Sequence, residues 1–135
     1  MGRYVLDSSA FIRAQEDIAT VRPQAREVMN DRRNTIYISF AALWEMAIKA
    51  ANGKLPFYAT MIANGSQALL VDLLKQNFSL LGIELDNALA ATSLPQHHRD
   101  PFDRIMIAQA LQNDLVVITT DSVFARYDGV RVLAA

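Results

Sequence analysis

Two apolar patterns alternate along this chain: short runs of β-branched and aliphatic residues, and segments in which apolar residues recur every three or four positions. The short runs predict strands at residues 3–7, 35–38, 79–85, 115–119 and 130–133. The helical spacing predicts helices at residues 10–13, 21–31, 39–51, 67–76, 90–94 and 103–113. Strands separated by helices indicate an α/β fold with a mostly parallel sheet covered on both faces.

Polar residues mark where several of these helices begin. Ser8 and Ser9 are expected to cap the first helix, Ser39 the third, and Asp86 the helix near residue 90. Residues 55–65 match neither apolar pattern, so the sequence leaves their structure open.

Length and composition indicate one globular domain that spans residues 1–135. The chain is 52% hydrophobic and 20% charged, which is typical of folded proteins. Its net charge of −1 gives no overall field that would attract nucleic acid. The absence of cysteine excludes disulfides and thiolate metal sites. No apolar run approaches membrane-spanning length, so we expect a cytoplasmic protein without a membrane partner.

Four acidic residues, far apart in sequence, lie where apolar segments begin or end. Asp7 closes the first predicted strand and Asp121 follows the fourth, whereas Asp103 opens the last helix and Glu45 lies within the third helix. In open parallel sheets, ligands bind beyond the carboxyl ends of the strands. The predicted fold would therefore bring distant carboxylates to one edge.

Taken singly, each acid has an ordinary explanation. Asp7 and Asp121 could cap helical turns, Asp103 could be a first-turn acid, and Glu45 could pair with Lys49 at i,i+4. Taken together, two carboxylates about 5 Å apart repel by roughly 3 kcal/mol. Four such groups would consume much of a stability of roughly 5–15 kcal/mol. Convergence therefore predicts a compensating divalent cation, and oxygen ligands favour Mg²⁺ or Mn²⁺.

Four segments of the chain resemble the PIN-domain family, specifically the VapC toxins of type II toxin–antitoxin systems. They are VLDSSA at 5–10, SFAALWEMAIK at 39–49, LPQHHRDPFDRIMIAQA at 94–110 and VITTD at 117–121. The third segment is the most specific, and together the segments cover nearly the whole chain in order. The resemblance implies a three-layer α/β/α PIN-like domain and a Mg²⁺- or Mn²⁺-dependent endoribonuclease.

The resemblance also assigns roles to residues. It implies that Asp7, Glu45, Asp103 and Asp121 are the catalytic acids and hold one or two metal ions. Metal-activated water would hydrolyse the RNA phosphodiester and leave a 5′-phosphate. The supporting residues are small hydroxyls beside the acids and nearby cations: Ser9, Thr119, Lys49 and Arg104.

Of these cations, Lys49 is expected to pair with Glu45, whereas Arg104 and its neighbour Arg99 could hold phosphates. The implied partners are the RNA substrate, a second copy of the chain, and a small antitoxin whose tail reaches the acidic site. The apolar surface of residues 55–74 could form part of the antitoxin groove.

Several residues near these motifs have simpler interpretations. His97 and His98 are expected to be solvated loop residues rather than a general base. Phe40 and Trp44 are expected in the core rather than in a base-stacking platform. Asp100 precedes Pro101 and is expected to cap the last helix or to orient Arg104, which leaves Asp103 as the metal ligand.

Two alternative functions remain open. A receiver-type phosphoacceptor domain also uses aspartates at strand ends, but it requires a second acid beside Asp7 and a lysine after the fourth strand, and the sequence has neither. A catalytically inactive PIN-like binding module would need no acids, so the presence of all four disfavours it.

Overall fold

The computed structural model describes residues 1–135 and contains one five-stranded sheet in the order β3-β2-β1-β4-β5. The strands are β1 Arg3–Leu6, β2 Thr35–Ser39, β3 Phe78–Leu81, β4 Val116–Thr119 and β5 Arg131–Ala134. All four neighbouring pairs are parallel, so the predicted mostly parallel sheet is confirmed and is parallel throughout.

Seven α-helices and two 3₁₀ turns, Ile18–Thr20 and Ser122–Arg126, connect the strands. The helices are α1 Ser8–Glu16, α2 Pro23–Asn30, α3 Phe40–Ala51, α4 Pro56–Ile62, α5 Ser66–Lys75, α6 Leu85–Thr92 and α7 Pro101–Asn113. None of them combines the length and the apolar character that crossing a membrane requires.

The sheet is covered on both faces. Successive residues of a strand point to opposite sides, so one strand contributes to the core on each face. In β1, Leu6 belongs to the core that contains Phe11 of α1 and Met46 of α3. Its neighbour Val5 belongs to a second core, with Ile107 of α7 and buried side chains near β5. These two cores give the expected three-layer α/β/α architecture.

The topology creates one edge suited to a ligand. The chain runs outward from β1 through β2 to β3 and then returns to the other side of β1 to form β4. At such a switch point, the connections leave a crevice at the carboxyl ends of the strands. Leu6 of β1 is in register with Ile118 of β4, so Asp7, directly after β1, lies beside Thr119, the last residue of β4.

Two helix starts differ from the sequence prediction. Asp7, rather than Ser8 or Ser9, is the N-cap of α1, and its carboxylate accepts the amide of Ala10 at 2.9 Å. Glu84 caps α6 in a reciprocal capping box, which places Asp86 in the first turn instead.

The expected N-cap of α3 is confirmed, because Ser39 Oγ accepts the amide of Ala41 at 3.0 Å.

The third strand also ends earlier than the sequence predicts. β3 ends at Leu81, not at residue 85, because the chain leaves the sheet at Gly82, whose carbonyl accepts Gln109 Nε2 at 3.0 Å. The undecided segment 55–65 contains α4, with Pro56 in its first turn, where a missing amide hydrogen costs nothing.

Candidate metal-binding active site

The fold brings the four predicted acids to the carboxyl edge of the sheet. Asp7 follows β1, Asp121 follows β4, Asp103 lies in the first turn of α7, and Glu45 lies in the second turn of α3. Asp7 and Asp103 are only 2% and 8% exposed, and Glu45 is buried as well. Burial of this many carboxylates requires partners, since an unpaired charge away from water is costly.

Asp7 has a full set of hydrogen-bond donors. Ser9 Oγ lies 2.8 and 2.9 Å from its two carboxylate oxygens, and Thr119 Oγ1 donates to Oδ2. With the Ala10 amide, these donors fix the carboxylate at the carboxyl end of β1. The small hydroxyls Ser9 and Thr119 thus lie where the sequence motifs place them, as positioning groups for Asp7.

Asp103 is the centre of the cluster. Its carboxylate lies within 4.8 Å of ligand atoms of Glu45 and Asp100 on one side, and of His98 and Asp121 on the other. Two groups of three candidate ligands therefore share Asp103. Asp7 belongs to neither group.

Glu45 of α3 contacts Ser8 of α1 and Lys49 in the next turn of α3. Its Oε1 accepts Ser8 Oγ at 2.6 Å, and its Oε2 lies 3.7 Å from Lys49 Nζ. The expected pairing of Glu45 with Lys49 is therefore present. Lys49 is partly exposed, so this single ammonium offsets little of the negative charge at the site.

His98 lies inside the site rather than in solvent, which corrects the sequence interpretation. Its Nε2 lies 2.7 Å from Asp103 Oδ2 and 3.2 Å from Asp121 Oδ2, and its Nδ1 lies 3.3 Å from the Asp100 amide. The amide donates to Nδ1, so the ring proton is on Nε2 and faces the two carboxylates. Periodicity cannot reveal such a residue, because it lies in a loop; its position five residues before Asp103 in the most specific motif was the available signal.

His97 does not join the cluster. Its ring packs edge-on against Tyr127 at a centroid distance of 5.0 Å, and the Tyr127 hydroxyl accepts the His98 amide at 2.8 Å. The two adjacent histidines therefore have different roles, with His97 and Tyr127 supporting the loop that presents His98.

Arg104 is not available for phosphate, contrary to the sequence expectation. Its guanidinium is buried and donates to four backbone carbonyls at 2.6–3.1 Å: those of Ala91, Leu94, Pro95 and His98. Arg104 therefore fixes the loop between α6 and α7. Asp100 caps α7 by accepting the Phe102 amide at 2.9 Å, as predicted, and does not pair with Arg104.

The aromatic residues of α3 are also corrected. Trp44 is 59% exposed and Phe40 is 44% exposed, so neither is a core residue. Trp44 packs edge-on against Phe102, which directly precedes Asp103, at a centroid distance of 5.2 Å. An exposed aromatic surface therefore adjoins the acidic site.

Burial and like charges dominate the electrostatics. Burial, followed by the negative charges of Asp100 and Glu45, raises the pKa of Asp103 to about 8. Burial also raises the pKa of Asp7, although hydrogen bonds from Thr119, Ala10 and Ser9 oppose the increase. Burial raises the pKa of Glu45 despite the hydrogen bond from Ser8. Full ionisation of these acids is therefore unfavourable unless a cation offsets their charge.

This donor set fits a divalent cation. Glu45, Asp100 and Asp103 offer oxygen atoms only, which is the chemistry that Mg²⁺ and Mn²⁺ prefer. The group of His98, Asp103 and Asp121 adds an imidazole nitrogen, which suits transition metals better than Mg²⁺. The high pKa of Asp103 is the expected mark of a site that a cation would complete.

Comparison with known proteins shows the family and the fold of this chain. The model of the PIN domain family matches residues 4–130. Among curated proteins, none matches the sequence significantly.

Solved structures match along the whole chain. The DNA-bound VapBC from Salmonella typhimurium is 19% identical, with 99% of this chain and 98% of that chain covered and a TM-score of 0.67. VapBC2 from Rickettsia felis, bound to a promoter fragment, is 14% identical, with 98% of each chain covered and a TM-score of 0.69. VapBC-5 from Mycobacterium tuberculosis is 21% identical, with coverages of 99% and 98% and a TM-score of 0.58. At these identities the likeness concerns the fold.

The raised pKa of Asp103 predicts how stability depends on pH. The folded protein holds the Asp103 proton up to about pH 8, whereas the unfolded chain releases it near pH 3.8. In the metal-free protein, the contribution of Asp103 to the free energy of unfolding should therefore be fully present below about pH 4. This contribution should be lost as the pH rises towards 8. We expect a Tm about 5 °C or more lower at pH 8.5 than at pH 5.5.

The matched variants are Asp103→Asn, which should flatten this decline, and Asp86→Asn on the exposed first turn of α6, which should not. Thermal melts in chelator at several pH values provide the measurement. An equally steep decline in Asp103→Asn would show that Asp103 is not its source.

Proposed function

This chain belongs to the PIN-domain family, and we propose on that basis that it is a metal-dependent endoribonuclease that acts as the VapC-type toxin of a toxin–antitoxin pair. The observation that carries the proposal is the convergence of buried carboxylates on Asp103 at the switch point of the sheet. A structural domain would gain nothing from such repulsion, whereas a hydrolase of a polyanion can use it to hold cations.

The proposed metal ligands are Asp103 and the acids around it. Glu45 and Asp121 each have a ligand atom within 4.8 Å of one of Asp103. Asp7, the fourth member of the quartet, adds its charge, and its carboxylate is held towards the site by Ser9 and Thr119. One or two ions of Mg²⁺ or Mn²⁺ would satisfy this set.

The chemistry proposed is hydrolysis of a phosphodiester, in which water adds to phosphorus and the 3′ oxygen leaves with a proton. A bound divalent cation would supply a water of lowered pKa and would screen the phosphate charge. The chain's own groups do the positioning: Ser8 and Lys49 hold Glu45, and His98 Nε2 holds the carboxylates of Asp103 and Asp121.

An inactive binding module is the second candidate. The exposed Trp44 beside Phe102 would suit such a role. Burial raises the pKa values of Asp7, Glu45 and Asp103 at a cost in stability, and the retention of these acids favours the enzyme.

A small antitoxin is the proposed protein partner, since the similar structures are described as VapBC complexes. An apolar groove of about 320 Å³ lies between α3, α4 and α5, and its apolar lining includes Trp44, Tyr58, Ile62 and Leu69. An amphipathic helix could lay its apolar face into such a groove. The groove includes part of the 55–74 surface expected from the sequence.

A homodimer is also proposed. On α6, Leu85 and Leu89 are exposed and offer an apolar surface apart from the antitoxin groove. Sedimentation of the purified chain would reveal a monomer if this proposal were wrong.

Asp103→Asn and Asp100→Asn separate the two acids of one motif. Asn caps a helix about as well as Asp, so Asp100→Asn removes a charge and keeps the cap of α7. We expect Asp103→Asn to lower RNA cleavage by about 10²-fold or more, because this variant removes the ligand that both groups share. Asp100→Asn should retain activity within about tenfold of the wild type.

Both variants and the wild type are compared in one assay with Mg²⁺ or Mn²⁺, with melting curves to establish folding. Exhaustive chelation should abolish cleavage by the wild type. Cleavage that survives chelation would refute the metal mechanism, and an inactive Asp100→Asn beside an active Asp103→Asn would reverse the ligand assignment.

Co-expression with the small reading frame that neighbours the gene tests the toxin role. The two proteins should co-purify, and the neighbour should relieve growth inhibition by the toxin. Trp44→Glu should weaken capture by at least about tenfold, because it places a charge in the apolar groove. Ile18→Glu changes another exposed apolar residue, outside the groove, and should bind normally. Absence of both co-purification and growth rescue would contradict the toxin–antitoxin assignment.

A further inference from the structure

A second polar crevice opens directly beside the acidic site. Its volume is about 270 Å³, and its polar side chains belong to Arg13, Arg22, Thr119, Thr120, Asp121 and Ser122. Thr119 and Asp121 belong to both places, because Thr119 donates to Asp7 and Asp121 contacts His98. We call this crevice the arginine cleft.

The two arginines of the cleft have no protein partner. Neither Arg13 nor Arg22 forms an ion pair or a side-chain hydrogen bond, and both are exposed. Other arginines of the chain are engaged: Arg33 with Asp31, Arg131 with Asp114, and Arg104 with backbone carbonyls. Arg26, Arg32, Arg99 and Arg126 also form no ion pair or side-chain hydrogen bond, but only Arg13 and Arg22 line the crevice beside the acids.

The positions of the arginines suit a strand that crosses the site. Arg13 lies four residues after Ser9 on α1, so it lies on the same helix face about 6 Å further along the axis. Arg22 comes from the turn before α2 and lines the same crevice. Both arginines therefore line one crevice that shares Thr119 and Asp121 with the acidic site.

A neighbouring crevice offers a contrast. It also contains Arg13, together with Ser9, but its lining includes Glu16 and Asp17. In the arginine cleft the only acidic side chain is that of Asp121, whose carboxylate is directed to His98 and the Val123 amide. An anion is therefore favoured in the arginine cleft and disfavoured in its neighbour.

We propose that the arginine cleft binds the backbone phosphate adjacent to the scissile phosphate of single-stranded RNA, with Arg13 and Arg22 as its ligands. The proposal rests on the proposed ribonuclease function. It identifies the local cations by which a chain of net charge −1 holds a polyanion next to carboxylates. Both residues are binding groups, so they should affect KM rather than kcat.

Arg13→Gln and Arg22→Gln test the cleft, with Arg32→Gln as the matched control. Arg32 is an exposed arginine just before β2, at the opposite, amino edge of the sheet. Each cleft variant should raise KM for a short oligoribonucleotide about tenfold with kcat unchanged. The slope of log(kcat/KM) against log salt should become shallower by about 0.7 for each arginine–phosphate ion pair that a variant removes. The control should keep wild-type values.

Neutral phosphates in the substrate provide the second arm. A methylphosphonate placed at one phosphate next to the cleavage site should raise KM of the wild type about tenfold, and should add nothing further in the double variant Arg13→Gln/Arg22→Gln. Melting curves establish that every variant is folded.

The outcomes distinguish the two proposals. A wild type that cleaves no RNA refutes the proposed function itself. The cleft proposal alone is overturned if the wild type cleaves RNA but the cleft variants keep the wild-type KM. It is also overturned if the methylphosphonate raises KM of the double variant as much as it raises KM of the wild type. Loss of antitoxin capture in place of RNA binding would likewise overturn it and assign the cleft to the protein partner.

Discussion

Repulsion between the carboxylates around Asp103 is the constraint on which the rest of this site depends. Burial and the neighbouring charges of Asp100 and Glu45 raise the pKa of Asp103 to about 8. Without a cation, it is therefore energetically unfavourable for every acid of the site to be ionised. A sheet edge at a topological switch point is where distant acids can meet without a break in the core. Strain of this electrostatic kind is typical of functional sites rather than of structural ones.

The surrounding structure tolerates this repulsion because fixed hydrogen-bond donors face the carboxylates. Asp7 has Ser9, Thr119 and an amide, and Glu45 has Ser8. Asp103 and Asp121 share His98. The loop of His98 is fixed in turn by Arg104, whose guanidinium satisfies four carbonyls. The buried arginine therefore orders the site indirectly, and the proposed RNA contacts belong to other, unpaired arginines.

Particular residues show where prediction from sequence succeeded. The strands near residues 4, 36 and 117 and the helix after Asp103 follow from local apolar pattern, because period and burial coincide there. The pairing of Glu45 with Lys49 follows from helical spacing alone. The exposure of Trp44 and the burial of Arg104 could not be predicted, because each depends on how α3, α6 and α7 pack against one another.

By itself, the sequence determined the alternation of strands and helices, the mostly parallel sheet and the position of three of the four acids at its carboxyl edge, since these follow from patterns within a few residues of one another. Only the tertiary structure decided that Asp7 is held by donors from both α1 and β4, that Asp103 is the shared centre, and that His98 lies between two carboxylates. The reason is physical: hydrogen bonding and desolvation act across space, over separations of up to 112 residues in this chain.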